Sequence, residues 1–111
     1  IPLGRESSAF GYAQALDGTW ADYKKSTGRS IARRSSIRDS ADFMGWYMTK
    51  TRKLTGVSLS DAKNQYLAYH EGQVGYKKGS YKRKQWLIKK ANNVQNRSLN
   101  YKRQLASCIR T

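Results

Sequence analysis

The sequence predicts an all-α domain of about four helices, and three observations lead to this prediction. Apolar residues recur at three- and four-residue spacings, glycines stand where several of these stretches end, and no segment alternates apolar and polar residues as a half-buried strand would. With 111 residues, 38% of them hydrophobic, the chain suits one modest core. We expect a single domain over residues 1–111. Because the chain begins at Ile1 with neither a methionine nor a leader, we also expect a processed or truncated piece of something longer.

The first two predicted helices follow an irregular opening. Residues 1–14 mix Pro, Gly and Ser without a helical period, which indicates a loop. The stretch "DGTWADYKKSTG" predicts a short helix with Asp17 or Thr19 as its N-cap and Gly28 at its end. The basic, serine-rich "RSIARRSSIR" is then an exposed connection. A second helix is predicted over residues 39–55, where apolar residues return every three or four positions.

Two further helices complete the prediction. Ser58 and Asp61 have the spacing of a capping box ahead of "AKNQYLAYHE", which predicts a third helix that ends at Gly72. From residue 80 onwards the sequence predicts a long basic amphipathic C-terminal helix. Its other faces are rich in Lys and Arg, a pattern typical of a solvated surface. Its apolar face is formed by Leu87, Ala91, Val94, Ser98, Tyr101, Leu105 and Cys108.

Charge is the strongest compositional signal. The chain has 22 Lys and Arg against 7 Asp and Glu, a net charge of +15, and no acid follows Glu71. Such a surface attracts polyanions, among them nucleic acid, anionic lipid head groups and the bacterial cell wall, and net charge does not distinguish them. No apolar run approaches the roughly 18 residues of a membrane span. The single cysteine, Cys108, excludes an internal disulfide framework and a cysteine zinc site.

Several chemistries are disfavoured by the residues present. With one His and scattered acids, only Asp39 and Asp42 share a helical spacing, and both are better explained as first-turn charges, so we predict no metal site. No glycine-rich nucleotide motif is present, and we predict no cofactor. The third and second helices allow a helix-turn-helix arrangement, but "SDAKNQYLAYHEG" offers few polar side chains that read bases. Nucleic acid is therefore a disfavoured partner.

Two segments together resemble the lytic transglycosylases of the soluble (SLT) type. "SSAFGYAQALDGTW" is similar to their signature of Ser, Gly-Ala, any residue, Gly-Leu-Met-Gln and then Thr, and "YLAYHEGQVGY" is similar to their later Ala-Ala-Tyr-Asn-Ala-Gly-x-Gly segment. The resemblance spans about residues 7 to 76. The first of these segments, together with "DFMGWY" and the tail from "YKKGSYKRKQWL" to "QLASC", looks closer still to a branch of SLT-domain proteins from Gram-negative bacteria. The matched positions are Ser8, Ala9, Gly11, Tyr12, Ala13, Gln14 and Thr19 in the first segment, and Ala68, Tyr69, His70, Glu71 and Gly72 in the second.

The resemblance implies a lysozyme-like fold and a groove for alternating N-acetylglucosamine and N-acetylmuramic acid. Gln14 would hydrogen bond an N-acetyl group, and Tyr69 would line the groove. His70 stands where the family has Asn, and Glu71 where it has Ala, so the amide geometry at that point is changed. Aromatic residues expected to stack on sugars are Tyr12, Trp46, Tyr69 and Tyr76. The predicted substrate-binding residues are Ser8, Tyr12, Gln14, Tyr69, His70 and Glu71.

The family's catalytic acid has no clear counterpart, so the catalytic residue is left unassigned. In the family one Glu of a Glu-Ser motif acts as general acid and then base, and the product carries a 1,6-anhydro ring. Glu6 begins an "ESS" sequence but lies only five residues before Gly11, with no helix ahead of it. We expect the acid to lie upstream of Ile1 or to be missing. Glu71, at a helix C-terminus, is either an acid of raised pKa or an exposed carboxylate.

The resemblance leaves two functional hypotheses, with charge-driven binding of nucleic acid as a third. The first is a lytic transglycosylase that binds and cleaves peptidoglycan glycan strands. The second is an inactive cell-wall anchor within an envelope-spanning complex such as a secretion system, whose other subunits are then partners. Both hypotheses place the chain in the periplasm or cell envelope of a Gram-negative bacterium, close to the outer membrane.

Overall fold

A computed structural model describes residues 8–110, with side chains as far as residue 108. Over this range the fold is all α-helical apart from one isolated β-bridge, between Phe10 and Ala15, which confirms the predicted class. The four predicted helices are present, and two short elements between the third and the last were not predicted. The elements are α1 Asp17–Thr27, α2 Ile37–Thr55, α3 Ala62–Glu71, α4 Gln73–Lys78, the 3-10 helix η1 Ser80–Arg83, and α5 Gln85–Arg110.

The described residues fall into two compact units, one up to Tyr47 and the other from Met48 onwards. The first has an aromatic core in which Trp20, Tyr23 and Phe43 are buried and their ring centroids lie 5.0 to 5.4 Å apart. The indole of Trp20 donates a hydrogen bond to the carbonyl of Ala32 at 3.1 Å. The Tyr23 hydroxyl donates to Asp42 at 2.6 Å; burial, followed by that carboxylate, raises the pKa of Tyr23 to about 12. The polar ends of the buried rings are therefore satisfied.

The second unit is built where α3 packs on the first half of α5. Its core consists of Leu67, Leu87 and Ala91, each no more than 1% exposed. Three tyrosines cover this core from the side: Tyr66, Tyr76 and Tyr81.

The helix ends differ from two of the predicted caps. Leu16, rather than Asp17 or Thr19, is the N-cap of α1, and the backbone N–H of Asp17 donates to the Ser8 hydroxyl at 3.0 Å. The predicted box of Ser58 and Asp61 is also wrong, because Asp61 is itself the N-cap of α3 and accepts from the Asn64 N–H at 3.1 Å. The predicted end of α1 is confirmed: Gly28 is left-handed, with φ of 73°.

The apolar face of α5 is buried over only part of its length. Leu87 and Ala91 are fully buried, whereas Tyr101 and Leu105 are 65% and 61% exposed. Cys108 is exposed near the end of the helix. The sequence pattern thus predicted the helix correctly, but packing of its face stops about halfway along.

Candidate functional site

In the first unit, the predicted residues Tyr12 and Gln14 lie on a tight turn that precedes α1. The N–H of Gln14 donates to the carbonyl of Gly11 at 3.2 Å, and the N–H of Phe10 donates to that of Ala15 at 3.2 Å. Gln14 has a positive φ of 52°, which places this residue at the bend of the turn. Tyr12 is 67% exposed. The turn therefore presents an aromatic ring and an amide to solvent.

Arg34 holds this turn from a distant part of the chain. Its guanidinium donates to the carbonyls of Ser8 and Ala15 at 2.9 and 3.0 Å, and its ion pair with Asp17 measures 2.7 Å. The same group lies over the Phe10 ring, 5.2 Å from its centroid. The Nη1 atom of one side chain thus contacts two loop carbonyls and one carboxylate, which ties the turn to the start of α1.

The backbone of Arg34 also contacts the turn. Its carbonyl accepts from the Tyr12 N–H at 3.3 Å and from the Ser40 hydroxyl at 3.1 Å. At Gly11 the approach is so close that a Cβ would lie 2.0 Å from the Arg34 oxygen, and φ there is +81°. Only glycine fits at this position without movement of the backbone.

Ser8 and Gln14 differ in how much of their polar surface is already used. The Ser8 hydroxyl accepts from the N–H of Asp17, which ties it to the start of α1. The Gln14 side chain is exposed, and its Nε2 donates to the Gly11 carbonyl at 2.8 Å. The amide oxygen of Gln14 faces no donor among the described residues and is available to a ligand.

In the second unit, the predicted residues Tyr69, His70 and Glu71 end α3. The Glu71 side chain is only 3% exposed. It accepts from the Ser80 hydroxyl at 2.6 Å, from Lys84 Nζ at 2.8 Å and from His70 Nδ1 at 2.9 Å. The unpredicted elements α4 and η1 explain this arrangement, because they return the chain so that residues 80 and 84 face the end of α3.

Glu71 is ionised in this environment. The hydrogen bonds from Lys84 and then Ser80 lower its pKa from 4.5 to about 2. Burial opposes this shift, and the hydrogen bond from His70 makes a smaller lowering contribution. Both alternatives expected from the sequence, a raised pKa and an exposed carboxylate, are therefore wrong. The prediction considered only the dipole of α3, whereas the donors that decide the pKa lie 9 and 13 residues later. A general acid must hold a proton at neutral pH, and Glu71 does not.

Trp86 is a surface aromatic that the sequence reasoning missed. It lies in the first turn of α5, is 53% exposed, and meets the His70 ring edge to face at a centroid distance of 5.5 Å. Lys90 Nζ lies 5.7 Å from the centroid of the same ring. The only available sequence signal was that Trp86 falls beside, and not on, the apolar face that contains Leu87 and Ala91.

Of the four aromatics expected to stack on sugars, only Tyr12 is largely exposed. Tyr69 is half-buried on α3. Trp46 packs at 5.5 Å from Tyr23 in the aromatic core of the first unit. Tyr76 stacks on Tyr81 at 5.2 Å, and its hydroxyl donates to Asn64 at 2.9 Å, so this ring supports the core.

Other kinds of site are not found in the described part of the chain. No group of three or more His, Cys, Asp or Glu residues there is arranged to hold a metal ion. No helix between residues 8 and 110 is long and apolar enough to cross a membrane. An open depression of about 700 Å³ lies in the first unit and contains none of the predicted site residues. It is lined by Arg29, Ile31, Ala32, Arg33, Ser35, Ser36, Arg38 and Asp39.

Comparison with known proteins gives one match. A family model described as "Transglycosylase SLT domain" matches residues 1–108. No curated protein and no solved structure matches the chain.

Proposed function

The chain belongs to the transglycosylase SLT domain family, and from this premise we propose that it binds the glycan strands of peptidoglycan. Family membership gives it a peptidoglycan-related function and a cell-wall-associated location. The finer proposal is that the strand of alternating N-acetylglucosamine and N-acetylmuramic acid is the ligand. The observation that carries this proposal is the exposed turn of Tyr12 and Gln14, because it lies inside the matched segment and is rigidly held.

Each proposed contact follows from the chemistry of the side chain. Tyr12 offers a ring that can stack on the apolar face of a sugar, and Gln14 offers an amide oxygen to the N–H of an acetamido group. In the second unit, Tyr69 and His70 supply a phenol and an imidazole to the same class of ligand. Ser8 and Glu71 act indirectly. The Ser8 hydroxyl ties the turn to α1, and the Glu71 carboxylate holds the His70 ring.

Cleavage requires a protonated carboxyl group at the scissile bond, and the described acids do not suit this role. Glu71 is ionised and buried. Asp17, Asp39 and Asp42 are ion-paired to arginines, Asp61 caps α3, and Asp22 lies exposed on α1. Glu6 lies outside the described residues. The state of Glu71 favours a second candidate function, an anchor that binds the wall without cutting it.

The location and partners that we propose follow from the same ligand. Glycan strands are accessible in the periplasm of a Gram-negative bacterium, and a chain of net charge +15 is attracted to the carboxylates of their stem peptides. In the anchoring case, the partners are subunits of an envelope-spanning complex such as a secretion system.

Purified peptidoglycan sacculi test the binding proposal. We expect the wild-type protein to sediment with sacculi and Tyr12→Ala and Gln14→Ala to be retained about fivefold less, since each removes one contact of roughly 1 kcal/mol. Tyr101→Ala is the matched control, because Tyr101 is exposed to the same degree, 65% against 67%, but lies on α5. Absence of wild-type retention contradicts the proposed function.

Mass spectrometry of the supernatant separates the two candidates. An active transglycosylase releases muropeptides that carry a 1,6-anhydro ring on N-acetylmuramic acid, whereas an anchor releases none. The 111-residue chain is compared with any longer parent protein, since product from the parent alone assigns the acid to a segment outside this chain. Product from the chain itself, lost in Glu6→Gln, assigns the acid to Glu6.

A further inference from the structure

We propose that Trp86, His70 and Lys90 form a second recognition surface, here called the Trp86 platform, that binds an acetamido sugar together with an adjacent carboxylate. This inference rests on the proposed function and deepens it, because it names the part of the peptidoglycan that the second unit takes. The whole platform lies within the second unit, between the end of α3 and the first two turns of α5.

Trp86 lies outside the buried core of the second unit. The core of this unit is completed by Leu87 and Ala91, which are fully buried, so Trp86 is not needed to fill it. Burial of a large apolar side chain stabilises a fold, and an indole that is 53% exposed forgoes much of that stabilisation. A rigid aromatic surface of this kind gains the same stabilisation when a ligand covers it.

The polar groups around the Trp86 ring are the His70 imidazole and the indole N–H of Trp86 itself. An ionised carboxylate only accepts hydrogen bonds, so the contact with Glu71 places the hydrogen of the His70 ring on Nδ1 and leaves Nε2 as an acceptor in the neutral ring. Among the described residues, neither this Nε2 nor the indole N–H of Trp86 has a hydrogen-bond partner. One acceptor and one donor beside an exposed ring match the N–H and C=O of an acetamido group.

Lys90 places a positive charge beside the Trp86 ring. Lys84 is neutralised by Glu71, but no ion pair in the described part of the chain includes Lys90, and the sequence has no acid after Glu71. Its ammonium lies 5.7 Å from the centroid of the Trp86 ring, which is close enough to meet a charge attached to a sugar stacked there. A carboxylate therefore suits this position. In peptidoglycan it comes from the lactyl group of N-acetylmuramic acid or from the stem peptide.

Glu71 gains a role in this arrangement. It is a positioning residue, since its ionised carboxylate fixes the His70 ring while Ser80 and Lys84 hold the carboxylate itself. A cation over a surface tryptophan also occurs as a purely structural pair that binds no ligand. A binding platform and a purely structural pair differ in one respect: only the platform binds a sugar ligand.

Titration with three soluble ligands tests the platform. Chitotetraose has acetamido sugars without a carboxylate, the N-acetylglucosamine–N-acetylmuramic acid disaccharide has a free lactyl carboxylate, and the disaccharide tetrapeptide has peptide carboxylates. We expect all three to shift the Trp86 indole resonance in ¹H–¹⁵N spectra, which Trp86→Phe identifies. Trp86→Ala should weaken binding of all three by about tenfold, and Trp86→Leu, which keeps apolar volume and guards against misfolding, by nearly as much.

Lys90→Gln and Lys102→Gln form the matched pair. Both substitutions remove one exposed positive charge from α5, but Lys102 lies twelve residues beyond Lys90, about 18 Å further along the helix and away from the ring. Lys90→Gln should weaken the two carboxylated ligands by about fivefold and leave chitotetraose within about twofold, while Lys102→Gln changes none of them. A loss for only one carboxylated ligand identifies which carboxylate is bound.

The outcomes that overturn the platform differ from those that overturn the proposed function. If Trp86→Ala binds the three ligands as the wild type does, the platform is wrong, even where wild-type protein is retained on sacculi. If oligonucleotides shift the Trp86 resonance and none of the sugars does, the ligand class is wrong. Absence of wild-type retention on sacculi, by contrast, contradicts the proposed function itself.

Discussion

Among single residues, Glu71 departs furthest from the ordinary behaviour of its side chain. Its carboxylate is 3% exposed, accepts three hydrogen bonds, and has its pKa lowered from 4.5 to about 2. A buried charge of this kind is tolerated only when its partners satisfy it. Here the partners come from α3, η1 and the residue that precedes α5, so one carboxylate ties together the end of α3 and the start of the last helix.

Stability should therefore fall in acid, and Glu71→Gln should remove part of that dependence. A carboxyl group whose pKa is lower in the folded state stabilises above its unfolded pKa, and this stabilisation is lost as pH falls from about 5 towards 2. We expect Glu71→Gln to lower the free energy of unfolding at pH 7 by about 1–3 kcal/mol and to flatten its decline in acid. Urea unfolding monitored by circular dichroism at a series of pH values measures both effects.

Asp22→Asn is the control for this prediction, since it removes one exposed negative charge from α1. Asp39, whose pKa is also lowered, contributes equally to wild type and variants, so the difference between the curves isolates Glu71. Parallel curves for wild type and Glu71→Gln between pH 5 and pH 2 contradict the assignment.

Gly11 offers a second prediction at the scale of one residue. Gly11→Ala puts a Cβ 2.0 Å from the Arg34 carbonyl oxygen at a φ of +81°, so the backbone must move, and we expect a loss of about 2–4 kcal/mol. Gly18→Ala is the opposite case, because it is helical, its Cβ meets nothing within 4 Å, and the change should stabilise α1 by about 0.5–1 kcal/mol. Thermal unfolding of the two variants checks both signs. A Gly11→Ala protein as stable as the wild type contradicts the close approach.

Among the structural elements, the turn before α1 depends on Arg34 more than on its own residues. Arg34→Ala removes the guanidinium donor from the carbonyls of Ser8 and Ala15 and from the carboxylate of Asp17, at a cost of about 1–3 kcal/mol. We expect amide hydrogen exchange of Phe10 and Gln14 to accelerate at least tenfold and retention on sacculi to fall with it. Arg33→Ala, which removes the same charge from the exposed neighbouring residue, should change neither. Unchanged exchange at both amides in Arg34→Ala contradicts the bracing role.

The helices were predictable because their signals are local. The period of the apolar residues gave the long α5, and left-handed Gly28 ends α1 where the sequence indicated. The helix α4 escaped prediction because six residues that include a central glycine carry no apolar period. The burial of only half of the α5 face depends on where α3 begins, because the Lys63 N–H at the start of α3 donates to Gln95 in the middle of α5. The sequence of α5 alone does not contain that information.

Residues of the candidate site were predictable where they lie within one short sequence motif. Tyr12, Gln14 and His70 follow from the resemblance of two motif segments. Arg34 does not, because it acts on residues as far as 26 positions away and stands in a serine-rich stretch that looks like any exposed connection. The ionisation of Glu71 was missed for the same physical reason, since its donors arrive from later parts of the chain.

Over the whole chain, the positive charge is arranged unevenly. In the first unit, arginines pair with Asp17, Asp39 and Asp42, so part of the charge is neutralised. After Glu71 there is no acid, so Lys and Arg are the only charged side chains in the last 40 residues. Such a surface attracts any polyanion at low salt, and a test of ligand class must therefore separate attraction by charge from recognition of sugar.

The dependence of affinity on salt concentration separates attraction by charge from recognition of sugar. Screening shortens the reach of exposed charges to about 10 Å at 0.1 M ionic strength, whereas stacking and amide hydrogen bonds to a sugar are little affected. We expect affinity for duplex DNA to fall by at least about a hundredfold between 50 and 200 mM salt, and affinity for sacculi by no more than about tenfold. At the higher salt, Tyr12→Ala should reduce the remaining retention on sacculi and Tyr101→Ala should not. In our proposal, the contacts that survive screening are stacking and amide hydrogen bonds to uncharged parts of the sugar. If DNA and sacculi show equal salt slopes and Tyr12→Ala has no effect at 200 mM salt, the protein is instead a charge-driven binder of polyanions.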